Sequence, residues 1–406
     1  MRLMNLGMWL AALFNPKARK WVEGRRNWRQ QYQADMVGAS GVLWVHAASL
    51  GEFEQGRPLI EAFRTRHPDW KIVLSFFSPS GYEIRKNYPY ADLICYLPAD
   101  TRRNARDFLD IIRPDAAIFV KYEFWGNYLH ELKKRNTPTL LVSALFRPEQ
   151  PFFQWYGAYW RDMLRCFTHF FVQNKDAENL LQSIGFHNIT VAGDTRVDRV
   201  LTIAAQAPEN ELVAAFTAGQ APVLIAGSSW EADEKIYLPV LQEPEFQYLK
   251  LIIAPHDVAE SNVVRTYQSV KKDDSKITRY SRADKKTSAA ARVLLIDNIG
   301  LLNTLYRYGT IAYIGGGFGK GIHNTLEPAA FGLPVIFGPA YRKFEEARQL
   351  LELGGAFSVK SSAELADILR KLQEPDFYKQ SSEAALGWLE QNKGATEKIL
   401  AFMEKR

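Results

Sequence analysis

The residues best suited to chemistry in this sequence lie at the ends of apolar runs. Val45-His46-Ala47-Ala48-Ser49-Leu50-Gly51-Glu52 leaves a strand pattern and enters a helical one. In parallel sheets, ligands bind beyond the carboxyl ends of the strands. A carboxylate in the first helical turn there is kept ionised by the field of the helix start. Glu52 is therefore a candidate general base; its plainer role is charge pairing at a helix amino terminus. Ser78-Pro79-Ser80-Gly81 follows the next strand pattern and has the residues of an anion-holding turn. A later run ends in Lys121-Tyr122-Glu123-Phe124-Trp125. Charges beside aromatics suit a sugar, which has apolar faces and hydroxyl edges; the alternative is an exposed loop with Trp125 in the core. Gly193-Asp194-Thr195-Arg196-Val197-Asp198 closes the first half. Arg196 can grip a carboxylate or phosphate with two hydrogen bonds, or simply sit on the surface of a turn.

The second half is richer in backbone than in side-chain chemistry. Tyr313–Pro339 reads YIGGGFGKGIHNTLEPAAFGLPVIFGP. Gly315, Gly316, Gly317 and Gly319, with Lys320, follow a strand pattern ending at Ile314. Glycines let a backbone approach a bulky anion and adopt positive φ without strain. A helix beginning near Asn324 would aim its positive end at the same place, and Glu327 would accept from sugar or ribose hydroxyls. The combination fits a nucleotide-activated sugar; the plainer alternative is a Gly-rich strand-to-helix turn. Ser228 and Ser229, after another strand pattern, can hold a phosphate on backbone N–H groups. Pro255-His256 and Asp297-Asn298-Ile299-Gly300 end two more. Together these strand ends converge on one rim and make a nucleotide pocket.

Other classes are disfavoured. The sequence has no H-x-x-x-H or C-x-x-C metal pattern, no Walker loop and no G-x-S-x-G elbow. The glycines at 315–319 lack dinucleotide spacing. Cys95 and Cys166 are the only cysteines, so no disulfide framework exists and a reducing, cytosolic setting fits best.

These groups need a scaffold. With 406 residues the chain is long enough for two domains, and a hydrophobic fraction of 47% excludes global disorder. Apolar runs alternate with helical patterns, which argues for parallel sheets. Strand patterns cover 42–47, 72–77, 93–97, 116–120, 139–144, 169–173 and 190–192. Residues 201–220 read as a helical or loose connection. Strands resume at 223–226, 251–254, 293–296, 311–314 and 335–337. Residues 271–286 read as an exposed basic loop, and 377–406 as helix without a partner strand.

The net charge of +6 is concentrated at the start, where residues 1–35 carry an excess of five positive charges. Leu3–Phe14 is apolar but shorter than the roughly 20 residues that cross a bilayer. Trp9, Phe14, Trp21 and Trp28 among arginines resemble an interfacial membrane helix; the alternative is an amphipathic helix packed on the protein. No nucleic-acid recognition motif accompanies the basic residues, and none of that partner class is expected.

Ser49-Leu50-Gly51-Glu52, Glu123-Phe124-Trp125, Gly193–Asp198 and His323-Asn324-Thr325-Leu326-Glu327-Pro328 together resemble the Kdo transferases, the 3-deoxy-D-manno-octulosonic acid transferases of lipopolysaccharide assembly. The resemblance implies an α/β GT-B glycosyltransferase with two Rossmann-like domains facing a central cleft. It implies CMP-Kdo as donor substrate, no cofactor or metal, a lipid A precursor (lipid IVA) as acceptor, and work at the cytoplasmic face of the inner membrane. Domains are expected at 1–35 (membrane-associating), 36–205 (acceptor-binding), 206–376 (CMP-sugar-binding) and 377–406, a helix packing back on the amino-terminal domain. The family's catalytic base falls on Glu52, and its transition-state-stabilising positions on Glu123 and Arg196. Its donor positions fall on Pro255, His256, Ile299, Gly300, Leu301, Asn324, Thr325, Leu326 and Glu327. Ser228, Ser229, Gly316 and Gly317 join them on the donor side, and Ser49, Gly51 and Ser78 are placed with the acceptor. Arg196 stands where Lys is usual, and the acidic residue that usually follows Gly300 is missing. Two other functions are compatible with the sequence: a GT-B enzyme using a UDP-sugar, and a non-catalytic membrane-bound sugar-binding protein.

Overall fold

Strands buried on both faces read as continuous apolar runs, and the helices between them cover the faces. The computed structural model, which describes residues 7, 10–34, 40–219, 221–271 and 276–405, has this architecture twice. The chain divides into two compact units, Met1–Asp198 with Lys393–Arg406, and Arg199–Asn392. The break at 198/199 lies inside the helix Thr195–Gln206.

The first unit holds β1 (Val42–Ala47), β2 (Lys71–Phe76), β3 (Leu93–Tyr96), β4 (Ala116–Val120), β5 (Thr139–Ala144), β6 (His169–Val172) and β7 (Ile189–Val191). They form a parallel sheet in the order β3-β2-β1-β4-β5-β6-β7. Alternation along β1 sends Trp44 into one buried cluster and Val45 into the other. The helix Ala395–Glu404 belongs to this unit, with Ile399 and Leu400 in the cluster that holds Val45. Asp198 caps it, accepting from the Thr396 N–H at 2.7 Å. The preceding helix, Pro375–Asn392, belongs to the second unit, and Gly394 at φ +89° separates the two.

The second unit holds β8 (Val223–Ser229), β9 (Lys250–Pro255), β10 (Ile277–Arg279), β11 (Val293–Leu295), β12 (Ile311–Ile314), β13 (Val335–Phe337) and β14 (Ala356–Ser358), ordered β10-β11-β9-β8-β12-β13-β14 and parallel. The α/β class and its two Rossmann-like sheets are borne out. One correction is β10: residues 271–286 are not a single exposed loop. Ile277–Arg279 is an edge strand, anchored where the Arg279 Nε–H donates to Asp297 at 2.9 Å.

A second correction concerns the amino terminus. Trp21 and Trp28 are buried in the first unit and do not face a bilayer. The Arg25 guanidinium lies 4.0 Å from the Trp21 ring centre and donates to the carbonyls of Leu97 and Phe77, both at 2.8 Å. Burial pushes it down to about 10. Arg29 donates to Asp107 at 2.8 Å and Asn104 at 3.0 Å. These aromatic–arginine pairs are packing, as an amphipathic helix on the protein would provide. Leu10, Leu13 and Phe14 are exposed, Phe14 by 89%. Part of the apolar run, including Trp9, lies outside the described residues. Among the described residues, no helix is long and apolar enough to cross a membrane.

Candidate active site

Strand order in the first sheet reverses between β1 and β4. Such a switch point opens a crevice at the carboxyl ends of the strands. Glu52 follows β1 and Glu123 follows β4, so the two acids flank it. Ser49 begins the helix Leu50–Arg66 in extended backbone, and its hydroxyl donates to the Glu52 carboxylate and accepts no cap bond from the helix backbone. Glu52 is half-buried in the first turn. Tyr122 lies near it: burial raises the Tyr122 phenol, Arg147 opposes that, and the charge of Glu52 adds to it. Gly51 is exposed, and a Cβ there would come no closer than 3.8 Å to Ser49 Oγ.

Glu123 is buried, unlike the carboxylate of an exposed loop. Its Oε2 accepts from Trp125 Nε1 at 2.6 Å and meets His46 Nε2 at 3.2 Å. Lys121, just before, is held at φ +67°. Trp125 stacks obliquely on Phe77 at 4.7 Å. Ser78 is brought to the same edge, its N–H donating to the Ala48 carbonyl at 2.8 Å. Its hydroxyl caps the helix Pro79–Arg85 by accepting from the Ser80 N–H at 3.2 Å.

Arg196 follows the edge strand β7, yet is drawn inward. Thr195 donates to the carbonyl of Gln55 and lies 3.0 Å from Ser143 Oγ, which ties this helix start to β5 and to the helix carrying Glu52. The Arg196 guanidinium grips Asp194 with Nε at 2.9 Å and Nη2 at 2.6 Å from Oδ2. Burial works to raise the Asp194 carboxyl, but the charge and hydrogen bonds of Arg196, with Lys121, hold it below the usual range.

In the second sheet the order reverses between β8 and β12. Ser228, the last residue but one of β8, has φ +51°, and Ser229 Oγ is buried 2.8 Å from the Tyr237 hydroxyl. The glycines after β12 serve close packing. A Cβ on Gly315 would meet the Ser228 carbonyl oxygen at 2.3 Å, and one on Gly317 would meet Gly338 Cα at 2.5 Å. Gly316 has φ +90°, and its N–H donates to buried Asp233 at 2.9 Å. That amide is therefore used inside the unit and is not presented outward to an anion. Asp233 also accepts from the Trp230 N–H and the Tyr313 hydroxyl.

The helix expected from Asn324 is only one turn, Leu326–Ala329, and Gly332 at φ +72° follows it. So short a helix supplies little macrodipole. Asn324 instead organises the turn, its Oδ1 accepting from the Leu326 N–H and its Nδ2 donating to Glu327 Oε1, both at 3.1 Å. The Thr325 hydroxyl is buried with no hydrogen-bond partner among the described residues. Leu326 is fully buried, its N–H given to Asn324 and its carbonyl accepting from the Ala330 N–H at 3.0 Å, so it presents nothing to a ligand. Pro255 ends β9 with His256 just beyond it, and Ile299, Gly300 and Leu301 follow β11, with Ile299 exposed and Gly300 at φ +95°. All the donor-side residues thus lie at the carboxyl ends of one parallel sheet.

Three rings join these strand ends. His256 stacks on Trp230 at 4.5 Å and on His323 at 4.3 Å, and Trp230 Nε1 donates to His323 Nε2 at 3.1 Å. Burial, with His256 nearby, pushes His323 down to about 4, so both the stack and this hydrogen bond use a neutral ring. Reasoning from sequence assigns no role to Trp230, His323, His46, Ser75 or Asp233. Alternation of Trp44 and His46 along β1 was the one available signal. Among the described residues, no group of three or more His, Cys, Asp or Glu could hold a metal ion.

Residues 23–199 match the family model described as 3-deoxy-D-manno-octulosonic-acid transferase (kdotransferase). The chain is 28% identical to the 3-deoxy-D-manno-octulosonic acid transferase of Aquifex aeolicus, over 83% of this chain and 87% of that one. With the protein of the same name from Haemophilus influenzae it is 27% identical, over 89% and 86%. The fold is similar to UDP-GlcNAc 2-epimerase from Neisseria meningitidis, with a TM-score of 0.60, 15% identity and coverage of 90% of this chain and 100% of that one. The enzyme from Methanocaldococcus jannaschii gives 0.58, 16%, 90% and 100%. The resemblance to the Kdo transferases is borne out, and with it the glycosyltransferase class and the GT-B architecture.

Proposed function

We propose that this chain, a glycosyltransferase of the Kdo transferase family, moves Kdo from CMP-Kdo to a glucosamine hydroxyl of a lipid A precursor, with inversion. The observation that carries the reading is the pair of carboxylates at the β1/β4 switch point, Glu52 held by Ser49 and Glu123 held by Trp125. Glu52 takes the proton of the acceptor hydroxyl as its oxygen bonds to the anomeric carbon of Kdo. The bond from that carbon to the CMP phosphate breaks, and CMP leaves with the electron pair. Arg196, fixed by Asp194, contributes positive charge for the departing phosphate. The second unit recognises CMP through the ends of β8, β9, β11 and β12. There Asn324 and Glu327 offer polar side chains, and Ser228 and Gly317 offer backbone.

The decisive experiment incubates purified protein with CMP-Kdo and tetra-acylated lipid A precursor and reads the product by mass, with CMP and UDP as competitors. A product heavier by one or more Kdo residues, suppressed by CMP and not by UDP, is expected. No product, or competition by UDP alone, refutes the reading.

The acceptor is a lipid, so the enzyme works at a membrane surface, in this reading the cytoplasmic face of the inner membrane. With Trp21 and Trp28 buried, contact falls to Leu10, Leu13 and Phe14 beside Lys17, Arg19 and Arg26. Trp155, Tyr156 and Tyr159 form a second exposed aromatic surface, of the kind that settles at headgroup level. Removing residues 1–15 should then weaken flotation with anionic liposomes, and Trp155→Ala should weaken it further. Equal flotation of all variants would move the contact elsewhere.

A further inference from the structure

His46 lies in the middle of the first sheet, fully buried, and the reaction proposed for Glu52 and Glu123 does not use it. Its place is set by register. His46 on β1 pairs with Ser75 on β2 and Phe119 on β4, so its side chain shares a face with that of Ser75. Trp44, two residues earlier, projects to the same face. Four side chains then form one line. Trp44 Nε1 donates to Ser75 Oγ at 2.8 Å, Ser75 Oγ lies 2.8 Å from His46 Nδ1, and His46 Nε2 lies 3.2 Å from Glu123 Oε2. The rings of Phe119 and Trp125 stand edge-on to the imidazole, each 5.8 Å away.

One assignment of protons satisfies every member of this line. The indole of Trp44 can only donate, so Ser75 Oγ accepts there and has its own proton to give. That proton goes to His46 Nδ1. The remaining ring nitrogen, Nε2, therefore carries hydrogen and donates to Glu123. The opposite tautomer would set a nitrogen lone pair against the carboxylate and leave the Ser75 hydroxyl proton without an acceptor. Glu123 Oε2 thus receives two N–H donors, from His46 and Trp125. No hydrogen bond to Oε1 is present among the described residues, so this is the oxygen left for substrate. A carboxylate held on one oxygen from within the protein is fixed in rotation and presents the other in one direction.

We infer that His46 is a positioning residue for Glu123: the Ser75–His46 relay sets the rotamer in which Glu123 meets the reacting sugar. The inference rests on the transition-state-stabilising role that the family resemblance implies for Glu123 and adds the group through which that role is maintained.

The test uses the full-length protein in the Kdo-transfer assay, with thermal unfolding and CMP affinity as controls. His46→Asn keeps the Nδ1 side of the ring but cannot reach Glu123. Turnover should fall about 10²-fold, the size of effect that small misplacements produce, with CMP affinity unchanged. His46→Gln carries an amide N–H to the former Nε2 position and should recover at least about tenfold of that loss. On a Glu123→Gln background, His46→Asn should cost nothing further, because residues acting as a unit are not additive. Equal loss in both His46 variants, or full additivity with Glu123→Gln, would mean that His46 serves the fold alone, and would overturn the inference. A large loss in Glu123→Gln with normal His46→Asn overturns it while leaving the role of Glu123 intact. Normal turnover in Glu123→Gln removes that role and the inference together. Should His46→Asn not fold, Ser75→Ala tests the same line one residue back. It should lower turnover by about tenfold, the worth of one hydrogen bond, and only where Glu123 is present; no loss counts against the inference.

Discussion

The two units have the same doubly wound topology and equip it in opposite ways. In the proposed reading the working groups of the first unit are side chains: Glu52 and Glu123 at the β1/β4 switch point, and Arg196 after β7. Each is restrained by a neighbour, respectively Ser49, the His46–Trp125 pair and Asp194. At the β8/β12 switch point the working surface is largely backbone, folded tightly because Gly315 and Gly317 allow main chain to meet main chain. The rings there form a neutral stack. A parallel sheet delivers any residue to its carboxyl edge. The residue types placed just beyond each strand decide whether that edge moves protons or holds a ligand still.

Substitutions that remove a side-chain function in the first unit and a backbone shape in the second should separate these roles. Glu52→Gln has the largest expected effect. It preserves shape but cannot take a proton, so transfer should fall about 10²–10⁴-fold, while melting temperature and CMP affinity stay as they are. Near-normal turnover would remove Glu52 from the chemistry. Gly317→Ala should act in the reverse sense. Its Cβ would lie 2.5 Å from Gly338 Cα, backbone against backbone. Such overpacking costs about 1–3 kcal/mol, so melting temperature and CMP affinity should drop together. Gly51→Ala, with nothing nearer than 3.8 Å, is the control in the first unit and should melt as the parent does. If Gly317→Ala melts like Gly51→Ala, close backbone packing is not what the glycine loop provides.

The contrast also explains what the sequence could reveal. Central strands such as Val42–Ala47, Ala116–Val120, Thr139–Ala144 and Ile311–Ile314 were legible to the residue, because burial on both faces leaves an uninterrupted apolar run. The edges Ile277–Arg279 and Ala356–Ser358 were missed: three residues are too few to show a period, and an edge tolerates polar ones. Side-chain candidates such as Glu52 and Glu123 were visible because their type and place after a strand announce them. Their supports, Ser75 and His46, were not, since register brings together residues 29 positions apart. In the second unit the glycines were legible as a loop but not in function. Whether an amide faces a ligand or Asp233 depends on a residue 83 positions away. At the amino terminus, tryptophans among arginines have the same composition whether they face lipid or pack as Trp21 and Arg25 do.

The smallest effect expected is one of pH, and it tests whether the second unit depends on uncharged rings. His323 titrates near 4 in the folded chain because burial, and His256 behind it, disfavour the imidazolium. In the unfolded chain the ring returns to the ordinary value of about 6.5. The unfolded state therefore takes up the proton first as pH falls. The stability that His323 contributes is fully present above about 6.5 and declines as pH drops towards 4, the direction linkage requires for a depressed group. Protonation would also remove the acceptor that His323 Nε2 offers to Trp230 Nε1 and place charge against His256 in the stack. Denaturant midpoints of the full chain at pH 7 and pH 5 should differ more in the parent than in His323→Gln, which offers a carbonyl acceptor and does not titrate. CMP affinity should follow the same order, as His256 belongs to the proposed donor site and shares the stack. The first unit carries other titrating groups, and these shift both proteins alike. An identical pH response in the two would show that the ring stack is indifferent to charge, and the comparison between a proton-moving edge and a neutral, ligand-holding one would lose its second half.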